Sequence, residues 1–230
     1  MSRLKPIAPS SVGRQVAHTI RDAICSGRIA LGEPLRELHL ARELNVSQVS
    51  VREALLELAN QGLVVRTPNV GTVVTQLTSE DVRQRVQVRV SLETLAFVEA
   101  SKRVKTSDFK QLEGRLEVLS QAIARNDCYE SAQADLQFHR YVWQISGNEL
   151  LVRTLEQMTI PLFAFVCIVR STGTQDLSKV VKAHSPLIAA LRRGDALSIE
   201  NAVRTHIERS YETFFASGLE TCNEFAQSLG

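Results

Sequence analysis

Aromatic side chains are missing from the first 96 residues; all twelve Phe, Tyr and Trp lie from Phe97 onward. A core without rings must be packed from Leu, Ile, Val and Ala, so the two parts of the chain build different interiors. Cysteine is sparse and scattered. Cys25, Cys128, Cys167 and Cys222 form no C-x-x-C pair, which excludes a zinc ribbon or a thioredoxin-type motif and leaves separate thiols in a reducing, cytoplasmic setting. No run of about 18 uncharged apolar residues occurs, so no membrane partner is expected. The longest apolar stretch, 160–169, is short and contains Pro161. Residues 1–11 carry no apolar leader. Charge of one sign is lacking too: 27 Lys and Arg stand against 25 Asp and Glu, a net +2 that argues for no partner. Its distribution is uneven, with nine basic and six acidic residues up to residue 77 and eighteen and nineteen beyond. A mildly basic first part suits contact with phosphates.

Residues 1–11 read as a flexible arm. A helix is expected over 12–26, where Val12, Val16, Ile20 and Ile24 recur at helical spacing, and Gly27 ends it. Gly32 and Pro34 make 29–35 a turn. A short helix over 37–44 turns Leu38, Ala41 and Leu44 inward, and Asn45 breaks it. Ser47 caps a further helix over 48–61 with Val51, Leu55 and Leu58 buried. Two short apolar runs, 63–66 and 72–75, flank Pro68-Asn69-Val70-Gly71 as a hairpin. Helix, helix–turn–helix, hairpin is the order of a winged helix-turn-helix over 12–77. Its second paired helix is slim enough for the major groove and begins with Ser47, Gln48, Ser50 and Arg52. The wing offers Thr67, Asn69 and Thr72, and Gly71 lets the backbone come close to DNA. The same fold can serve protein contact alone; Arg52 and the capped helix favour double-stranded DNA.

Residues 78–217 read as helix throughout, with 218–230 as a tail. Thr78 opens the first helix, and Glu80 and Asp81 sit in its positive first turn. Six helices are expected, over 78–103, 107–125, 129–146, 149–170, 177–193 and 196–217, hence an antiparallel bundle. The fold class is mainly α. Asp135 and His139 are four apart, on one face beside the apolar Phe138, Tyr141, Val142 and Ile145. A carboxylate there needs a partner, either a protonated imidazole or a cation. His184 and His206 also lie on apolar edges, whereas His18 and His39 read as surface residues. One carboxylate and three neutral imidazoles form an N/O set suited to a divalent first-row metal.

The stretch "AICSGRIALGEPLRELHLARELNVSQVSVREALLELANQGLVVRTPNVGTVV" resembles the DNA-binding domain of the GntR family of regulators. That resemblance implies that Arg52 holds DNA and that Gly71 lies against the minor groove. Gln48 stands where many members have arginine, which favours adenine over guanine at that contact. The segments "RVSLETLAFVEA", "ADLQFHRYVWQISGN", "AHSPLIAALRRGDA" and "AVRTHIERS" resemble the FCD effector domain of FadR-type members, in its shorter VanR-like group. The resemblance implies a metal, often zinc or nickel, on Asp135, His139, His184 and His206, and places Arg89 at the pocket.

Such a metal keeps positions for anionic oxygen, so the expected effector is a small organic acid. Arg89 would clamp its carboxylate, or else pair with Glu93 one turn on, and Asn148 would add a neutral hydrogen bond. The function that follows is a dimeric, ligand-responsive regulator, expected to be a repressor on a pseudo-palindromic operator, and not an enzyme. A metalloenzyme and a purely structural metal are the alternatives.

Overall fold

The computed structural model describes residues 11–68, 70–171, 178–220 and 224. Among them are ten helices and three short strands. The arm, Asn69 and most of the tail lie outside the described residues.

The first unit consists of α1 (Ser11–Cys25), β1 (Pro34–Leu35), α2 (Glu37–Glu43), α3 (Gln48–Asn60), β2 (Val64–Thr67) and β3 (Gly71–Val74). Ser47 accepts a hydrogen bond from Ser50 N–H and caps α3. The apolar stripes of α1 and α3, Ile20, Ile24, Val51, Leu55 and Leu58, meet in a core of aliphatic side chains and the Cys25 thiol. Two expectations needed correcting. The presumed turn contains β1, which pairs antiparallel with β3 (Leu35 opposite Thr72), giving the strand order β1-β3-β2. Pro34 is tolerated because β1 is an edge strand and its missing donor costs no ladder bond. Leu38 is not inward but 53% exposed, because the short α2 buries Leu40 and Ala41.

The second unit holds α4 (Ser79–Ser101), α5 (Thr106–Ala124), α6 (Cys128–Ile145), α7 (Glu149–Ser171), α8 (Ser178–Ala183), α9 (Ser185–Arg193) and α10 (Ala196–Ser217). Thr78 and Asp81 form a reciprocal capping box at the start of α4. Phe97, Phe138, Trp143, Tyr211 and Phe214 fill the bundle. The segment Glu149–Cys167 has the length and mean hydropathy (1.4) of a membrane span, yet half of it is buried within the bundle.

The described bundle has seven helices rather than the expected six, because 177–193 breaks at His184. Pro186 at the start of α9 has no N–H for the carbonyl four residues back, which weakens the helical ladder where the chain breaks and suits the first turn of a new helix. His184 N–H bonds Val181 O and Leu187 N–H bonds His184 O, both one residue short of the helical register. The carbonyls of Val180 and Ala183 are thereby left to other donors.

The two units share a continuous apolar core. At the joint, Gly62 has φ +76, and a Cβ there would sit 3.0 Å from Gln157 O and 3.1 Å from Pro161 Cγ. Only glycine allows that approach. Beside it lies a cavity of about 290 Å³ whose walls include Arg21, Gln61 and Leu63 from the first unit and Gln137, Arg140 and Phe163 from the second.

Candidate functional site

Three imidazoles converge inside the bundle. His139 comes from the middle of α6, His184 from the α8–α9 break and His206 from α10; one ring nitrogen of each lies within 4.8 Å of the others. His139 Nε2 and His206 Nε2 are 3.2 Å apart. Asp135, one turn before His139, brings Oδ1 to 2.8 Å from His184 Nε2. That contact is short but out of line, for among the described residues His184 Nε2 makes no hydrogen bond. His184 and His139 are buried, Asp135 is 6% exposed and His206 is half-buried with its Nε2 turned onto His139.

The opposite ring nitrogen of each histidine is occupied. His139 Nδ1 lies 2.9 Å from Glu93 Oε2, His184 Nδ1 2.9 Å from Val180 O, and His206 Nδ1 3.2 Å from Ala183 O. A carbonyl or carboxylate there accepts the Nδ1 proton, so the Nε2 lone pairs face one another. An acceptor on the far nitrogen is what fixes the ring of a histidine that ligates a metal. Donors 2.0–2.1 Å from one zinc are about 2.9 Å apart at a right angle and about 3.3 Å apart at the tetrahedral angle. The observed 2.8 and 3.2 Å separations match that spacing. The residues present therefore fit a divalent ion. Burial and the two neighbouring imidazoles hold the His206 pKa well below the ordinary histidine value, which keeps a lone pair available.

Arg89 and Glu93, both on α4, lie behind this cluster. Arg89 Nε donates to Glu93 Oε1 at 2.6 Å and its Nη1 donates to Tyr211 Oη at 3.2 Å. The guanidinium also stacks 5.2 Å from the Phe163 ring. Burial pushes the Glu93 pKa upward, but Arg89 and His139 outweigh it and hold the carboxyl well below its usual range. The i, i+4 pair with Glu93 is thus formed, and a bidentate clamp by Arg89 would compete with Glu93 or Tyr211 for its N–H groups. Glu93 is the residue that sequence reasoning undervalued; its spacing from Arg89 was visible, its contact with His139 was not. Asn148 departs from expectation. It is exposed, and its Oδ1 accepts from Leu151 N–H at 3.1 Å as the cap of α7.

At the other end of the molecule, Gln48 and Arg52 stand exposed on the first turns of α3, with Ser50 half-buried beside them. Ser47 spends its hydroxyl on the cap, and Ser50 Oγ is 2.9 Å from it. Arg52 and Gln48 converge on one carboxylate, Glu37 of α2. Arg52 Nη2 donates to it at 2.9 Å, Gln48 Nε2 at 3.2 Å, and Arg66 of β2 at 3.5 Å. The hydrogen bond from Arg52 holds the Glu37 carboxyl below its usual pKa. Neither Glu37 nor Arg66 was singled out from the sequence. On the wing, Thr67 is exposed, and Gly71 adopts φ +136 with open space around it. Thr72 is not on the outer face as expected: it is 6% exposed, because alternation along β3 turns it and Val74 inward. Asn69 lies outside the described residues.

A winged helix-turn-helix joined to a helical bundle with a central histidine cluster defines a one-component regulator: a DNA reader fused to an effector domain. Residues 13–74 match the family model "Bacterial regulatory proteins, gntR family", and residues 84–209 match "FCD domain". The chain belongs to the GntR family of transcriptional regulators, in its FCD-bearing branch. It is 31% identical over 203 residues to a probable D-xylose utilization operon transcriptional repressor of Paenarthrobacter nicotinovorans, covering 88% of each chain. It is 28% identical to the gluconate operon transcriptional repressor of Bacillus subtilis (strain 168), over 86% of this chain and 83% of that one. Among solved structures, E. coli McbR/YncC shares the fold with TM-score 0.76 at 20% identity, over 91% of this chain and 99% of that one. The protein is a regulator of transcription and not an enzyme.

Proposed function

We propose that this regulator is a metal-dependent repressor, homodimeric and cytoplasmic, that binds a pseudo-palindromic operator and responds to a small organic acid. The observation that carries the reading is the orientation of the three histidines, each with Nδ1 on an acceptor and Nε2 in the cluster. His139, His184 and His206, with Asp135, would hold a divalent ion, zinc or nickel by donor type. The ion would supply Lewis acidity and unfilled positions for an anionic oxygen. The protein's own residues fix the ring orientations and keep the cluster dry. Arg89 places a buried positive charge beside it, held by Glu93 and Tyr211. A hydroxy acid, a sugar acid or a short dicarboxylate is the effector class. The name of the gluconate operon relative, a protein regulating use of a sugar acid, accords with that class.

On the DNA side, Gln48, Ser50 and Arg52 would face the major groove, with Ser47 supporting them as the cap, and Thr67 and Gly71 would approach the backbone from the wing. Thr72 would act only as packing beneath it. The effector can change operator affinity only if the two conformations bind it unequally. The lever is the joint at 76–78 together with the Gly62–Pro161 contact, where a tilt of α4 would reset the spacing of two recognition helices. A coupling of about 1–3 kcal/mol would suffice.

The test is metal analysis of protein purified without chelators or imidazole, followed by calorimetry of organic acids on the wild type and His139→Ala. About one ion per chain, and an acid that binds the wild type alone, are expected. Ion-free protein, or an acid bound equally by both, would overturn the reading.

A further inference from the structure

We propose that Glu37 acts as the specificity gate of the DNA-reading face: one carboxylate that gathers Arg52, Gln48 and Arg66 and releases them only to the correct operator. The inference rests on the reading of α3 as the recognition helix and adds a residue and a mechanism to it.

The geometry is specific. Both Glu37 oxygens accept from Arg52 Nε, at 3.3 and 3.2 Å, and Oε2 also accepts from Arg52 Nη2 at 2.9 Å. Oε2 takes Gln48 Nε2 as well, while Oε1 takes Arg66 Nη2 at 3.5 Å. The three donors come from two different elements, the recognition helix and the first wing strand, and Glu37 from a third. The Glu37 side chain is 20% exposed, whereas that of Arg52 is 53% exposed, so the carboxylate sits below the arginine it holds.

Two consequences follow from charge. A carboxylate this close to the reading surface repels the DNA backbone, and it occupies the guanidinium edges that would otherwise grip any phosphate. Non-specific binding, which is almost entirely phosphate contact, is thereby weakened. At the correct site, base-edge contacts by Gln48 and its neighbours offset the exchange of Arg52 from carboxylate to DNA. The same tether sets the wing against the helix, because Arg66 and Arg52 share one anchor. Glu37 is a positioning residue, acting through the groups that touch DNA.

The test uses the full-length protein, a duplex enriched by the wild type from a randomised library, and a random duplex of equal length. Glu37→Gln keeps the shape of the side chain and removes its charge. It should bind the random duplex roughly 3- to 10-fold tighter and steepen the log–log salt dependence by about 1–2, as one or two freed arginines reach phosphates. The ratio of selected to random affinity should fall by at least the same factor, with the melting temperature close to wild type. Glu37→Asp, which keeps the charge, should hold the salt slope near wild type. Should Glu37→Gln destabilise α2, Arg66→Met tests the shared anchor with no substitution in that helix: by releasing the wing from the anchor of Arg52 it should weaken the selected duplex more than the random one, so the affinity ratio should fall there too. An unchanged ratio and slope in Glu37→Gln, or equal losses on both duplexes, would overturn the gate. Arg52→Ala separates the two readings. If it leaves wild-type binding intact, the docking of α3 is wrong and the gate falls with it; if it weakens binding while Glu37→Gln changes nothing, the gate alone is wrong.

Discussion

The reader and the bundle solve the same packing problem with different residues. The reader buries Ile20, Ile24, Leu55 and Leu58 without a single ring. The bundle is built around Phe97, Phe138, Trp143, Tyr211 and Phe214. The difference follows from what each must hold. A small three-helix unit with a wing closes over short aliphatic chains. A bundle that keeps two imidazoles and an ion pair away from water, with a third imidazole half-buried beside them, needs large side chains to seal it. Phe138 sets its ring edge-on to both His139 and His184, at 5.5 and 4.7 Å between centroids. Phe163 stands 6.3 Å from the His139 ring on the side facing the joint. The polar groups differ in the same way. Glu93 is buried with two partners, whereas Glu37 stays near the surface where DNA could compete for its arginines.

The largest effect should come from the rings. Phe138→Ala should cost about 3–5 kcal/mol in denaturant unfolding and weaken metal retention. Leu55→Ala in the reader should cost about 2–5 kcal/mol yet leave metal content unchanged. Loss of metal in both variants would show that the shared apolar core makes the two units one cooperative body.

Next in size is the proposed metal. Zinc at about 100 times its dissociation constant should stabilise the wild type by about 2.7 kcal/mol and His139→Ala by nothing. Hydrogen exchange should place the added protection on bundle amides. Equal protection in α1 and α3 would sharpen the contrast into a statement about how the joint transmits the signal.

The reader should show its own signature. Gln48→Ala should cost about 1–3 kcal/mol at one base position and relax the preference there, read by anisotropy on single-base variants of the selected duplex. Metal content should not move. The smallest effect belongs to the capping box at the joint: Thr78→Ala should cost about 1 kcal/mol. That shifts a thermal midpoint by about 2–4 °C in a chain of this size, and no shift would mean that α4 is held by packing alone.

Much of this molecule was legible before folding was considered. Helical periodicity and glycine punctuation marked α1, α3 and most bundle helices, because those signals are local. The i, i+4 spacing put Asp135 and His139 on one face for the same reason. Composition alone determined that the two cores would differ, since no ring was available to the first. Other features needed the tertiary structure. The two-residue β1 exists only because β3 lies beside it. Thr72 turns inward because of strand register, and Asn148 became a cap because α7 starts there. The expected helix over 177–193 ran straight through Pro186, and that a break there hands two carbonyls to His184 and His206 depends on α10 lying alongside. Glu93 and Glu37 gained their partners across 46 and 15 residues of sequence, respectively. Periodicity reports which face a side chain occupies; only the packing of helices against one another decides what that face meets.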